Sequence, residues 1–179
     1  MVDMFLAEGF EEIEALCPLD IMRRAGIEVR TVGVGGKEII GAHKITVTAD
    51  ITLDEYEYSS PDMIFLPGGM PGTLNLAASD KVIAAVKNAF AEEKYITAIC
   101  AAPSILGDMG FLVGKEAICY PGFEGRLTGA LISSKKVVRD GNIITAKGMG
   151  AALELGLEIV RIFKGDTEAK ELRHAVIAD

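Results

Sequence analysis

The run Tyr95-Ile96-Thr97-Ala98-Ile99 ends on Cys100, and Ala101-Ala102-Pro103-Ser104 then opens a helical pattern. No other stretch constrains the fold as much. A strand that turns sharply into a helix exposes the side chain at the turn above the sheet edge, and Ala101 and Ala102 leave room for that turn. Pro103 suits the first helical turn, where its missing N–H costs nothing. Free N–H groups at the start of the helix would favour a thiolate, so a lowered Cys100 pKa is expected. The same residues also read as a core strand that ends on a small buried hydrophobe, the usual role of free cysteine. The stretch alone leaves both readings open.

The flanking chain alternates between strand and helix patterns. Val2 to Ala7 reads as a strand before the Glu8-Gly9-Phe10 turn. From Glu11, the residues Ile13, Leu16, Cys17, Ile21 and Met22 follow helical spacing until Gly26 stops them. Ile27 to Val34 is a second strand, which completes a right-handed crossover unit. Ile39-Ile40 and Ile45-Thr46-Val47-Thr48 predict an antiparallel hairpin within Glu38 to Asp50. Asp62 to Leu66 is the continuous apolar run expected of a strand buried on both faces, and it ends at Pro67-Gly68-Gly69. A helix over Asp80 to Glu93 then leads into the strand ending at Cys100, so adjacent strands should present Gly68-Gly69 and Cys100 together.

Beyond that junction, Ala117-Ile118-Cys119-Tyr120 is a short strand candidate, and Pro121 to Gly129 a turn with a short helix. Val137-Val138 and Ile143 to Ala146 flank Asp140-Gly141 as a hairpin. Gly148-Met149-Gly150 opens a long amphipathic helix to Phe163, and a last helix spans Asp166 to Ala175.

At 179 residues the chain reads as a single domain, 1–179, of the α/β class. A net charge of −8 argues against nucleic acid as a partner, because phosphate binding needs clustered Lys and Arg. Cys17, Cys100 and Cys119 are odd in number and lack metal-ligand spacing, so neither a disulfide framework nor a metal site is expected. Reduced thiols fit a cytoplasmic location. The acidic start of the chain lacks the basic and apolar regions of a secretion signal. No apolar run approaches membrane-spanning length, so no membrane partner is expected.

Four motifs occur in one order: Glu11-Glu12-Ile13-Glu14, Met22-Arg23-Arg24-Ala25-Gly26, Leu66-Pro67-Gly68-Gly69 and Ala98-Ile99-Cys100-Ala101-Ala102-Pro103. Together they resemble the ThiJ/PfpI superfamily, in particular its branch of the Parkinson disease-associated protein deglycase, across essentially the whole chain. The resemblance implies a flavodoxin-like three-layer α/β/α sandwich with a mostly parallel sheet, a homodimer, and a cysteine at a nucleophile elbow. It implies a glutamate from the first helix touching that cysteine, at the position of Glu14. It also implies ready oxidation of the cysteine to sulfinate, and action on methylglyoxal, glyoxal or their adducts without a cofactor.

An ionised Glu14 beside Cys100 would raise the thiol pKa, so the pairing helps only if Glu14 is held protonated by burial. Alternatively, Glu14 is a solvated helix-face residue. Gly68 and Gly69, with Ala101, are candidate oxyanion or substrate contacts through backbone N–H groups. A tight turn alone would also explain the glycines. Tyr120 stands where relatives place a histidine, and Ala101 where the protease-like members carry theirs. His43 and His174 lie elsewhere, so the usual Cys-His base is missing and protease or amidase chemistry is not expected. Tyr120 is either a hydrogen-bonding group or a packing residue in the histidine's space. Met149 occupies a place where relatives often have proline. Cys17 reads as packing or as a resolving thiol, and Arg24 matches a family arginine that could pair across a dimer. Two functions follow: a cysteine-dependent glyoxalase or deglycase, or a non-enzymatic redox sensor or chaperone-like dimer.

Overall fold

Strands buried on both faces need apolar residues at nearly every position, and this chain supplies them in short runs. The computed structural model describes residues 1–178. It begins with β1 (Val2–Ala7), α1 (Glu12–Arg24) and β2 (Val29–Val34), followed by the hairpin β3 (Glu38–Ile40) and β4 (Thr46–Thr48). Next come β5 (Ile51–Thr52), β6 (Met63–Leu66), α2 (Gly72–Ala77), α3 (Asp80–Ala91), β7 (Tyr95–Ile99) and α4 (Pro103–Asp108). The last part holds β8 (Glu116–Ala117), β9 (Leu131–Ile132), β10 (Val137–Asp140), β11 (Ile143–Ala146), α5 (Ala152–Lys164) and α6 (Asp166–Ala175).

Seven strands form the central sheet in the order β10-β11-β7-β6-β1-β2-β5. All its pairings are parallel except that of β10 with β11. Alternation along each strand feeds two cores. Val2, Met4, Leu6, Met63 and Phe65 face a layer built from α1, α5 and α6. Phe5, Ala7, Ile64 and Leu66 face α2, α3 and α4 through Leu76, Val82, Val86, Ile105 and Leu106. The result is the three-layer α/β/α sandwich with a mostly parallel sheet. α1 and α5 approach closely, and a Cβ on Gly156 would lie 3.0 Å from Ile21.

Some local expectations change. The strand candidate at 117–120 shortens to Glu116–Ala117, which pairs with β9 rather than entering the main sheet. Its remaining residues are tied elsewhere: Ile118 N–H donates to Thr145 Oγ1 at 3.0 Å and Tyr120 N–H to the Cys100 carbonyl at 2.7 Å. The 121–129 segment keeps one 3₁₀ turn, Glu124–Arg126. The β10–β11 hairpin turns on Gly141 and Asn142, one residue beyond the expected Asp-Gly pair, with Gly141 at φ 63°. Among the described residues no helix is long and apolar enough to cross a membrane.

The sheet also buries a charge. Asp3 is fully buried in β1, where the Arg30 guanidinium grips both carboxylate oxygens at 2.9 Å and Tyr56 donates at 3.0 Å. Removing one partner of such a pair strands the other charge. Arg30→Ala should therefore lower stability by about 3 kcal/mol in urea denaturation. Arg24→Ala breaks only an exposed i,i+4 pair with Asp20 and should change it by less than about 0.5 kcal/mol.

Candidate functional site

The strand order reverses beside β1, where the chain leaves β2 on one side and β6 on the other, and open α/β sheets place ligands at that point. The carboxyl ends of β1, β6 and β7 meet there. Cys100 follows β7 directly and sits at φ 66°, a left-handed conformation that costs a non-glycine residue roughly 1–3 kcal/mol. Neighbouring backbone bonds hold it in place. Cys100 N–H donates to the Ala146 carbonyl at 2.9 Å, its own carbonyl accepts from Tyr120, and Ala102 N–H donates to the Ile99 carbonyl at 3.1 Å. Pro103 is the first residue of α4, as the strand-turn-helix junction requires.

α1 delivers Glu14 to the same point. Its side chain is 1% exposed although three acidic residues lie nearby in sequence. Pro18, four residues on, has no N–H for the Glu14 carbonyl, so the helix is locally unladdered behind the carboxyl. The β6 loop touches the start of α1 through backbone: Glu11 N–H donates to the Gly68 carbonyl at 2.9 Å. A Cβ on Gly68 would stand 2.4 Å from Glu14 Oε2 and 2.6 Å from Cys100 Cβ. A Cβ on Gly69, at φ 90°, would stand 2.2 Å from Glu11 N. Only glycine lets the loop, the carboxyl and the cysteine converge.

Burial pushes the Glu14 carboxyl up to about 7, with the Glu11 charge adding to the rise; Cys100 and the Gly68 and Met149 backbone oppose it. Burial, then the Glu14 charge, pushes the Cys100 thiol up to about 12. The backbone N–H groups of Gly69 and Ala101 draw it down. This overturns the expected lowering of the Cys100 pKa. α4 has six residues, and its terminus is outweighed by burial and a carboxyl neighbour. The two groups titrate as a unit, with one proton shared over a wide pH window. Glu14 Oε2 is buried without a hydrogen-bond partner among the described residues, in spite of its proximity to Cys100. A proton on that oxygen turns an orphan acceptor into a donor for the sulfur.

The remaining sequence candidates separate. Gly69 and Ala101 present N–H groups to the sulfur, whereas Gly68 N–H faces the Glu14 carboxyl. Tyr120 is 51% exposed, and its ring lies over Gly148, where a Cβ would be 3.3 Å from Tyr120 Cδ2 and 3.7 Å from Glu14 Oε1. Met149 is exposed on the same rim. Cys119 is buried, with its thiol pushed up to about 11 by burial. Cys17 is partly buried in α1 and unbridged. Arg24 pairs with Asp20 within its own helix at 2.6 Å.

Sequence reasoning missed one cluster here. Glu12 is buried and receives His43 N–H at 2.8 Å on Oε1, while His43 Nδ1 lies 2.9 Å from Oε2. Gly41 makes room, since a Cβ there would stand 2.2 Å from Glu12 Oε1. With Glu11, these groups bring ligand-capable atoms within 4.8 Å of one another. The arrangement ties the 41–45 turn to the start of α1. Thirty-one residues separate the partners, so no local spacing signals it.

Residues 1–162 match the model of the DJ-1/PfpI family. The chain is 34% identical over 179 residues to the Parkinson disease protein 7 homolog of Danio rerio, covering 97% of this chain and 95% of that protein. It is 36% identical over 174 residues to Protein DJ-1 homolog B of Arabidopsis thaliana, covering 96% of this chain but only 40% of that longer protein. Among solved structures, a mutant DJ-1 superfamily protein from Salmonella typhimurium superposes with a TM-score of 0.93 at 35% identity, over 98% of this chain and 97% of that one. Oxidized DJ-1 from Toxoplasma gondii gives 0.94 at 30% identity with the same coverage of both chains.

Two outcomes test the site's geometry. Above pH 4.5 the unfolded chain ionises Glu14, while the folded chain keeps the proton until about 7. Stability should therefore fall across that interval by up to about 3 kcal/mol through this group and stay level above it. Glu14→Gln removes the titration, so its stability relative to the parent should rise by that amount between pH 4.5 and pH 8 in urea melts. Gly68→Ala displaces the carboxyl, relieves the thiol of the Glu14 charge and should speed iodoacetamide modification of Cys100 about tenfold at pH 7, the effect of one unit in thiol pKa. An unchanged rate would mean that the close approach does not control the sulfur.

Proposed function

Because this chain belongs to the DJ-1/PfpI family, we propose that Cys100 and Glu14 are the catalytic pair of a glyoxalase- or deglycase-type enzyme acting on methylglyoxal, glyoxal or their adducts. The observation that carries this reading is the buried Glu14 carboxyl, raised to about 7, against a cysteine held at the strained turn after β7. A group with that pKa can both give and take a proton at neutral pH.

The proposed conversion is R–CO–CHO + H2O → R–CHOH–COOH, an internal redox change in which the aldehyde carbon is oxidised and the ketone carbon reduced. The Cys100 thiolate attacks the aldehyde carbon. A C–S bond forms, the carbonyl pair moves to oxygen, and the Glu14 acid supplies the proton of the hemithioacetal. Glu14, now a carboxylate, removes the remaining hydrogen of that carbon as a proton. The electron pair passes through an enediol, and the proton returns at the neighbouring carbon to leave a 2-hydroxy thioester. Water then displaces the sulfur. Gly69 and Ala101 N–H groups suit the oxyanion that develops beside the sulfur. On the same reading, residues 1–179 are one domain that works as a homodimer in the cytoplasm, and the chemistry draws on no cofactor.

One observation favours a second function. By the family resemblance Tyr120 stands where relatives place a histidine, and His43, held by Glu12, and His174, in α6, lie elsewhere. A redox-sensing or chaperone-like dimer needs no such base. There the thiolate would react as RS⁻ + 2 H2O2 → RSO2⁻ + 2 H2O, and the Glu14 acid would donate to a sulfinate oxygen.

Lactate formation from methylglyoxal separates the two. The parent should turn over. Cys100→Ser should lose at least about a hundredfold in rate, and Glu14→Gln, which has no carboxyl to give a proton or to take the one on the hemithioacetal carbon, should lose about as much. No lactate from the parent, with peroxide adding two oxygens to Cys100 before Cys17 or Cys119, would instead support the sensor.

A further inference from the structure

A cavity of about 460 Å³ opens next to the site: neither Glu14 nor Cys100 lines it, but its walls include Gly148, where a Cβ would lie 3.7 Å from Glu14 Oε1, Met149, whose backbone bonds the Glu14 carboxyl, and Tyr120, whose N–H donates to the Cys100 carbonyl. Tyr120, Pro121, Met149 and Ala151 give it apolar walls, and Lys136 and Lys147 stand on its rim. Methylglyoxal would fill only a small part of such a space. The two lysines flank the open end of the β10–β11 hairpin, where Val137 pairs with Ala146 and Lys147 N–H donates to the Lys136 carbonyl at 2.9 Å. Like charges opposed across antiparallel strands repel. Lys147 has no ion-pair partner among the described residues. Lys136 faces Glu154 only at longer range, and that carboxylate is already paired with Arg173. In a chain of net charge −8, two lysines lining one cavity, one of them without an ion-pair partner among the described residues, are not background. Lys147 also follows Ala146, whose carbonyl holds the Cys100 N–H, so the basic rim is covalently next to the turn.

We propose that this cavity selects 2-oxoaldehydes, or adducts of them, that carry an apolar body and a distal carboxylate. The body lies between Tyr120 and Met149 and the carboxylate meets Lys136 and Lys147. This specificity rests on the aldehyde reading of Cys100 and names the substrate class for that same site.

The experiment compares kcat/KM for 4-carboxyphenylglyoxal and phenylglyoxal, which differ only in the distal charge. The parent should prefer the carboxylated aldehyde about tenfold at low ionic strength, with the preference shrinking as salt screens the rim. Lys136→Gln combined with Lys147→Gln should bring the ratio to about one, and Lys147→Arg should keep it. A parent ratio near one, or a preference that survives the double substitution, overturns the proposal. If the parent turns over neither aldehyde nor methylglyoxal, the aldehyde reading fails, and the cavity is judged by binding. Benzoate should then protect Cys100 from iodoacetamide at about tenfold lower concentration than benzamide does, and equal protection overturns the anion site as well.

Discussion

The approach of the β6 loop to the first turns of α1 governs this molecule. Gly68 lies against both Glu14 Oε2 and Cys100 Cβ at distances no side chain could share. That contact excludes water from the carboxyl, and exclusion of water raises its pKa toward neutrality. The same contact makes the thiol a poor acid whenever Glu14 is charged. Reactivity at the sulfur is thus a property of the pair and its shared proton, and the short helix α4 contributes little.

The rest of the fold serves to keep that pair in register. Parallel pairing of β7 with β6 and β11 brings Leu66 beside Ala98 and Ala146 beside Ile99. The Ala146 carbonyl, the Gly68 loop and the Cys100 turn therefore arrive at one level. α1 packs across β1 and against α5 through Ile21 and Gly156, which sets the depth of Glu14. Glu12, two residues before Glu14, is anchored by the His43 turn, and the Asp3–Arg30–Tyr56 cluster stiffens β1 on the opposite face. The strain at Cys100 persists because backbone bonds on both sides over-determine it.

Much of this could be read from residue order. The β1, β6 and β7 runs, the two hairpins, the Pro103 start of α4 and the meeting of Gly68-Gly69 with Cys100 follow from hydrophobic period and turn chemistry, which act over a few residues. Errors fall where tertiary partners compete with local preference. Ile118 and Tyr120 give their N–H groups to Thr145 and Cys100, so the strand candidate there stops at Ala117. The lowered thiol pKa was inferred from a helix start, a local feature. Burial and a carboxyl brought in from a distant helix decided it the other way.

By itself, then, the sequence determined the alternation of strands and helices, the strand-to-helix turn at residue 100, and the family motifs that single out Glu14. The alternation and the turn depend on short-range sterics and apolar spacing, while Glu14 is singled out only by the resemblance of its motif to that of a known family. Tertiary structure alone decided whether Glu14 is solvated or buried, which N–H groups face the sulfur, and how His43 finds Glu12. It also decided that Lys136 and Lys147 share a rim with Tyr120. Proton affinity and cavity shape depend on what surrounds a group in space, and the surroundings of these residues come from strands and helices far apart in the chain.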